Sequence, residues 1–214
     1  EDEPELAFLI NRDAPKVIAE KAREYNIPFI HFSTDYVFEG EKKVAYLETD
    51  PTNPLGVYGA SKWAGEEAIQ HVGGKFYIFR TSWVYSNIGH NFYLTIKGLS
   101  EKRDEIRVIS DQFGVPTSSY FIAKHTQNII KQLSSKNTGI YHLVPDGQCS
   151  WCEFAKQIIT KTTPTFDINN ILPVDTDQYP TNAKRPKSSV LDNSLIKTVF
   201  MLKFDDWITE LRKL

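Results

Sequence analysis

An α/β fold built on a parallel sheet is the architecture this sequence predicts, and three observations predict it. IPFIHFS (residues 27–33) and KFYIFRTS (75–82) are short, nearly continuous apolar runs, as expected of strands buried on both faces. Between them, residues 58–72 read as a helix. Strand, helix, strand at this rhythm is a βαβ unit, and such units build parallel sheets with helices on both faces, which gives a doubly wound, Rossmann-like fold.

Length and charge bound the rest. At 214 residues, 41% hydrophobic and 24% charged, the chain suits one compact domain, or one domain with a smaller lobe. A net charge of -2 gives no basic excess for nucleic acid. The apolar runs fall far short of the roughly 20 residues a membrane span needs, and no charged-then-apolar leader opens the chain. The expectation is a cytoplasmic enzyme.

Taken in order, the chain starts Glu-Asp-Glu-Pro-Glu without methionine, directly at a helix N-terminus, so a preceding portion is expected. Residues 4–25 read as a helix in two pieces, because Pro15 is tolerated only in a first turn and Asp13 can cap the second piece. The first strand ends in Ser33, Thr34 and Asp35, and the turn-rich ETDPTNPLG leads into the helix at 58. After the second strand, the sequence predicts a helix at 91–102, a strand IRVIS, a loop DQFGVPT and a helix YFIAKHTQNIIKQL. GIYHLV is another strand, then come a helix over 150–162 and a last strand ILPVDT. DQYPTNAKRPKSSVLD reads as irregular chain, and a helix around 204–213 closes the sequence.

The stretch with the most chemistry is NPLGVYGASKWAGEE, residues 53–67. Tyr58 and Lys62 stand four apart on one helix and therefore share a face. An ammonium near a phenol favours phenolate and brings the group toward the working range of an acid, so the pair suits proton handling at a carbonyl. The spacing alone is weak, because Tyr93/Lys97 and Tyr120/Lys124 repeat it. Only Tyr58/Lys62 is entered through a Pro-Leu-Gly turn and follows a hydroxyl-bearing strand end. In open parallel sheets, ligands bind beyond the carboxyl ends of the strands. Thr34 and Ser82-Trp83 lie at two such ends, so these residues converge with Tyr58.

Cys149 and Cys152 lack the partners of a zinc site, and Ser150 with Glu153 reads instead as a capping box opening a helix. Lys184, Arg185 and Lys187 are either a solvated loop or a clamp for a phosphate-bearing substrate.

STDYVFEG, ETDPTNPLGVYGASKWAGEEA, FRTSWVY, DQFGVPT, YHLV and KRPKSSVLD occur in one order, and on these motifs the chain resembles the dTDP-4-dehydrorhamnose reductases, extended short-chain dehydrogenase/reductases, over nearly its whole length. The resemblance implies a Rossmann domain at 1–83 and 112–149, lacking its N-terminal strands and glycine-rich pyrophosphate loop, and a smaller C-terminal substrate-binding lobe at 84–111 and 150–214. It implies NADPH, with NADH as the alternative, reduction of the C4 ketone of dTDP-4-dehydro-L-rhamnose, and a homodimer in which some relatives hold magnesium ions. Residue by residue, Tyr58 donates the proton, Lys62 lowers its pKa and meets the nicotinamide ribose, and Thr34 holds the carbonyl oxygen. Ser33 and Ser82 join Tyr58 and Lys62 on the cofactor side. Asp35, Tyr36, Trp83, Asn91, Gln112 and Arg185 fall on the substrate side, with Lys184 as a weaker candidate and Trp83 as the aromatic wall or a core residue.

Related readings rank lower. A 4,6-dehydratase needs Asp-Glu after the threonine, and here Asp35 is followed by Tyr36. Epimerases of the group usually carry a second serine where Thr34 stands. A non-catalytic subunit resembling the regulatory β subunit of methionine adenosyltransferase is the alternative from another class.

Overall fold

The computed structural model describes residues 1–179 and 183–214. The middle of the irregular segment, 180–182, therefore lies outside the described residues. Helix α1 (Pro4–Phe8) runs through a π-helical turn (Leu9–Asp13) into α2 (Ala14–Glu24). Pro15 has no N–H to give and its ring crowds the preceding turn, and the wider π turn absorbs both. Asp13 is thus not the expected cap: its backbone is helical, and its carboxylate pairs with Arg12 at 2.7 Å.

Strand β1 (Phe29–Thr34), helix α3 (Val57–Val72) and strand β2 (Phe76–Thr81) form the predicted βαβ unit. Then follow β3 (Val84–Tyr85), α4 (Phe92–Ser100), β4 (Ile106–Ile109), β5 (Phe113–Gly114), β6 (Thr117–Ser118), α5 (Ser119–Ile130) and β7 (Gly139–His142). The chain ends with β8 (Cys149–Ser150), α6 (Trp151–Thr162), β9 (Ile171–Val174), α7 (Ser194–Val199) and α8 (Trp207–Arg212). Strands β1, β2 and β7 make a parallel sheet with β2 central. On one face Ile78 packs with Ala19 of α2 and Ile69 and Val72 of α3. On the other, Tyr77, Phe79 and Tyr141 pack with Phe121 and Ile129 of α5 and with Ile196 and Phe200. Helices on both faces make the sheet doubly wound.

A second core joins Tyr93 and Ile96 of α4, Phe154 and Ile158 of α6, and Trp207 and Leu211 of α8. There β4 pairs in parallel with β9. This second core makes a lobe, whereas Ile196, Phe200 and Phe204 belong to the sheet's core. Helix α7, unread in the sequence, carries that contact; six residues are too few for a helical period to show. DQFGVPT is likewise no plain loop. Its Phe113 and Gly114 pair with Ser150 and Cys149, its Thr117 pairs with Val84, and Ser118 just after it pairs with Tyr85.

The capping box forms: Glu153 N–H donates to Ser150 Oγ at 3.1 Å, and Glu153 Oε2 accepts from Ser150 N–H at 2.7 Å. Ser150→Ala is expected to cost about 1 kcal/mol, read as a lower denaturant midpoint at unchanged m. Cys149 and Cys152 are free and buried, and burial pushes both thiols up, away from reactive thiolate. Among the described residues no helix is long and apolar enough to cross a membrane. Nor, among them, do three or more His, Cys, Asp or Glu gather in a set able to hold a metal ion.

Candidate active site

Parallel pairing sets Thr34 beside Thr81, so the hydroxyl-bearing ends of β1 and β2 open on the same rim. Helix α3 begins at that rim and carries Tyr58 in its first turn. Its N-terminal Gly56 offers no side chain, and the Glu1 carboxylate accepts the Val57 N–H at 3.1 and 3.2 Å instead. Gly59 lets the helix start lie against the turn after β1, for a Cβ there would sit 2.2 Å from the Tyr36 carbonyl oxygen. That close approach fixes Tyr58 edge-on to the Tyr36 ring, centroids 6.1 Å apart.

Between the rim and the lobe lies a cavity of about 430 Å³. Ser33, Thr34, Asp35, Tyr36, Tyr58, Ser82, Trp83, Asn91 and Arg185 line it, which brings most of the predicted set together. The other two Tyr/Lys pairs stay away: Tyr93 is in the lobe core and Tyr120 is exposed elsewhere.

Thr34 is the hub. Its hydroxyl donates to Asp35 Oδ1 at 3.0 Å and accepts from Tyr36 N–H at 3.2 Å, and it lines the cavity with Tyr58. Asp35 is buried, and its Oδ2 has no partner. Burial pushes its carboxyl up to about 7, against hydrogen bonds from Ser189 and Thr34. Tyr36 is pushed up to about 12 by burial and the Asp35 charge, with Arg185 opposing.

Lys62 turns to strand β1. Its ammonium donates to the Phe32 carbonyl at 2.6 Å and meets His31 Nε2 at 3.3 Å, outside the lining of the cavity. Tyr58 is accordingly not acidified. Burial of its hydroxyl end raises the phenol, the Thr34 hydroxyl lowers it, and Asp35 raises it again, although 49% of the residue is exposed. Burial also lowers Lys62, while Glu66 one turn on opposes the shift. His31 is held down to about 4 by burial and by Lys62, so it meets the ammonium as a neutral acceptor.

Gln112 is not brought to the cavity. It is buried, with its amide donating to Thr176 Oγ1 at 3.1 Å. Lys184 lies outside the lining too. Asn91 reaches the cavity, but its Oδ1 caps α4 through Leu94 N–H and its Nδ2 donates to the Ser86 and Ile88 carbonyls. Ser82 donates to the Val115 carbonyl at 2.6 Å, whereas the buried Ser33 Oγ has no partner. Trp83 is both wall and core: it lines the cavity, is 9% exposed, and stacks on Trp151 at 3.6 Å. It holds a left-handed backbone (φ 45°), and Gly114 packs against its indole closely enough to exclude any side chain. Sequence reading missed Trp151, Phe92, His90 and Thr95 in this lining. They come from the lobe, and no local spacing ties them to Tyr58.

An NADPH-type cofactor fits only in part. The orphaned Ser33 hydroxyl, on the strand that carries Thr34, and the half-buried Lys62 ammonium, which α3 holds against that strand, are polar groups suited to a ribose.

The RmlD substrate binding domain matches residues 1–214. The dTDP-4-dehydrorhamnose reductase of Escherichia coli K12 is 42% identical over 212 residues, 97% of this chain and 71% of its own length. That of Burkholderia thailandensis is 37% identical over 97% of this chain and 73% of its own. A crystal structure of dTDP-4-dehydrorhamnose reductase from Bacillus anthracis in complex with NADP superimposes with a TM-score of 0.92 at 34% identity, covering all of this chain and 74% of that one. Whole-length agreement with the family and alignment across more than two thirds of these relatives lead to one conclusion: the chain belongs to the RmlD family of dTDP-4-dehydrorhamnose reductases.

Proposed function

We propose that this protein reduces the C4 ketone of dTDP-4-dehydro-L-rhamnose to the alcohol of dTDP-L-rhamnose, using NADPH. The observation that carries the reading is that Tyr58 and Thr34 line one cavity at the carboxyl ends of a parallel sheet, in a chain of this family. The reduced nicotinamide, when bound, supplies hydride to C4. Thr34 holds the ketone oxygen with its hydroxyl, a neutral donor that strengthens as negative charge grows there. Tyr58 gives the proton: a phenol raised by burial stays protonated through neutrality, ready to be a donor. Lys62, Ser33 and Ser82 form the cofactor side, with Lys62 steadied by the Phe32 carbonyl. Tyr36, Trp83 and Asn91 bound the sugar, and Arg185 at the open edge meets the diphosphate as a forked donor.

Full-length protein is expected to oxidise NADPH only when dTDP-4-keto-6-deoxy-sugar is added; absence of substrate-dependent oxidation would overturn the proposal. Trp83→Phe keeps an aromatic ring but loses indole area. Its expected effect is a loss of about 0.5–1.5 kcal/mol in stacking, a two- to tenfold rise in KM with a smaller change in kcat. An unchanged KM assigns the indole to the core alone.

A further inference from the structure

A threonine hydroxyl has one proton, and in this site its direction decides what Thr34 can do. Here that proton goes to Asp35 Oδ1 at 3.0 Å, and the Tyr36 N–H fills one acceptor position on Thr34. While Asp35 is ionised, a carboxylate accepts and cannot donate, so the Thr34 proton is spent on it. If Asp35 is neutral, it has a proton of its own to offer.

Two observations favour the neutral acid. Asp35 is 2% exposed, and its Oδ2 is buried without a hydrogen-bond partner, an arrangement that penalises a full negative charge. The groups facing it supply little compensation: Thr34 and Tyr36 from its own segment, Tyr58 from α3, and the Ser189 hydroxyl from the C-terminal segment. Arg185 is exposed on the cavity edge, as is His90 from the loop before α4.

We propose that Asp35 is a positioning residue that works in its neutral form: it donates its carboxyl proton as a hydrogen bond to Thr34 Oγ1, which turns the Thr34 proton onto the ketone oxygen. This rests on the reductase reading above and deepens it. One hydrogen bond, between Thr34 and Asp35, reverses direction, and the freed Thr34 proton makes a new one to the ketone oxygen.

The sign of the pH dependence follows. A carboxyl raised to about 7 is neutral below that pH and ionised above it. Turnover is therefore high on the acid side and falls as pH rises through neutrality. The Tyr58 phenol, shifted upward, does not titrate in that window.

The test compares kcat against pH for full-length wild type, Asp35→Asn and Asp35→Ala. Asparagine carries a permanent N–H donor, so Asp35→Asn is expected to keep kcat within about threefold of the acid-side wild-type value and to abolish the fall near neutrality. Asp35→Ala has neither donor nor acceptor to orient the Thr34 proton, and is expected to show kcat about tenfold or more below the acid-side wild-type value, with no fall near neutrality. Retention of the wild-type fall in Asp35→Asn, or wild-type kcat in Asp35→Ala, would overturn the proposal. Infrared difference spectra of wild type minus Asp35→Asn provide a readout independent of turnover: a neutral-carboxyl carbonyl band is expected at about pH 6 and is lost by about pH 8. Its absence at about pH 6 also overturns the proposal. Wild type that shows this band yet turns over no keto-sugar nucleotide refutes the reductase reading instead.

Discussion

Truncating Glu66 to Ala is expected to lower the free energy of unfolding by about 3–5 kcal/mol, because it strands the Arg80 guanidinium inside the protein. Arg80 and Glu66 are 3% and 1% exposed at their side chains, and the guanidinium reaches the carboxylate through Nε at 3.0 Å and Nη2 at 2.7 Å. Arg80 also lies 5.0 Å from the centre of the Phe38 ring and donates through Nη1 to the Glu48 carbonyl at 3.5 Å, so the remaining cation would keep only weak partners. Denaturant unfolding of Glu66→Ala reads the loss. The double variant Glu66→Leu/Arg80→Met is expected to recover most of it, since two apolar residues leave no unpaired charge. A double variant as unstable as the single would mean that lost packing, not the stranded charge, sets the cost. The pair ties α3 to β2 one turn beyond Lys62, so the single variant is also expected to lower kcat by loosening the helix that carries Tyr58.

Tyr58→Phe is the second large effect. Removing one hydroxyl while leaving the ring is expected to lower kcat about 10²- to 10⁴-fold with KM and NADPH affinity nearly unchanged, the loss characteristic of a proton donor. Steady-state NADPH oxidation checks this, and full activity would remove Tyr58 from its role. Because the phenol is half-exposed and its neighbours pack on the ring, the fold is expected to be unaffected.

The two variants probe different parts of what the sequence made visible. The βαβ unit is legible because buried parallel strands are apolar almost without break, and Tyr58 could be picked from three Tyr/Lys pairs by the turn that enters its helix. Asn91 and Gln112 show the limit of motif reasoning. Both are polar residues in matching segments, yet one caps a helix and the other is bonded to Thr176. Trp151 shows the opposite failure: it sat in a segment read only as a helix start, and it covers Trp83.

Local sequence determined the strands, the central helix and the capping box, and it singled out Tyr58 as the candidate proton donor, because each depends on periodicity or on neighbours a few residues away. Tertiary structure alone decided which groups tune that donor. The ammonium four residues along the same helix is held by a strand carbonyl, while a carboxyl on another element, buried with one oxygen unpaired, shares its threonine. Ionisation follows the solvent and charges around a group in space, and spacing along one helix does not specify them.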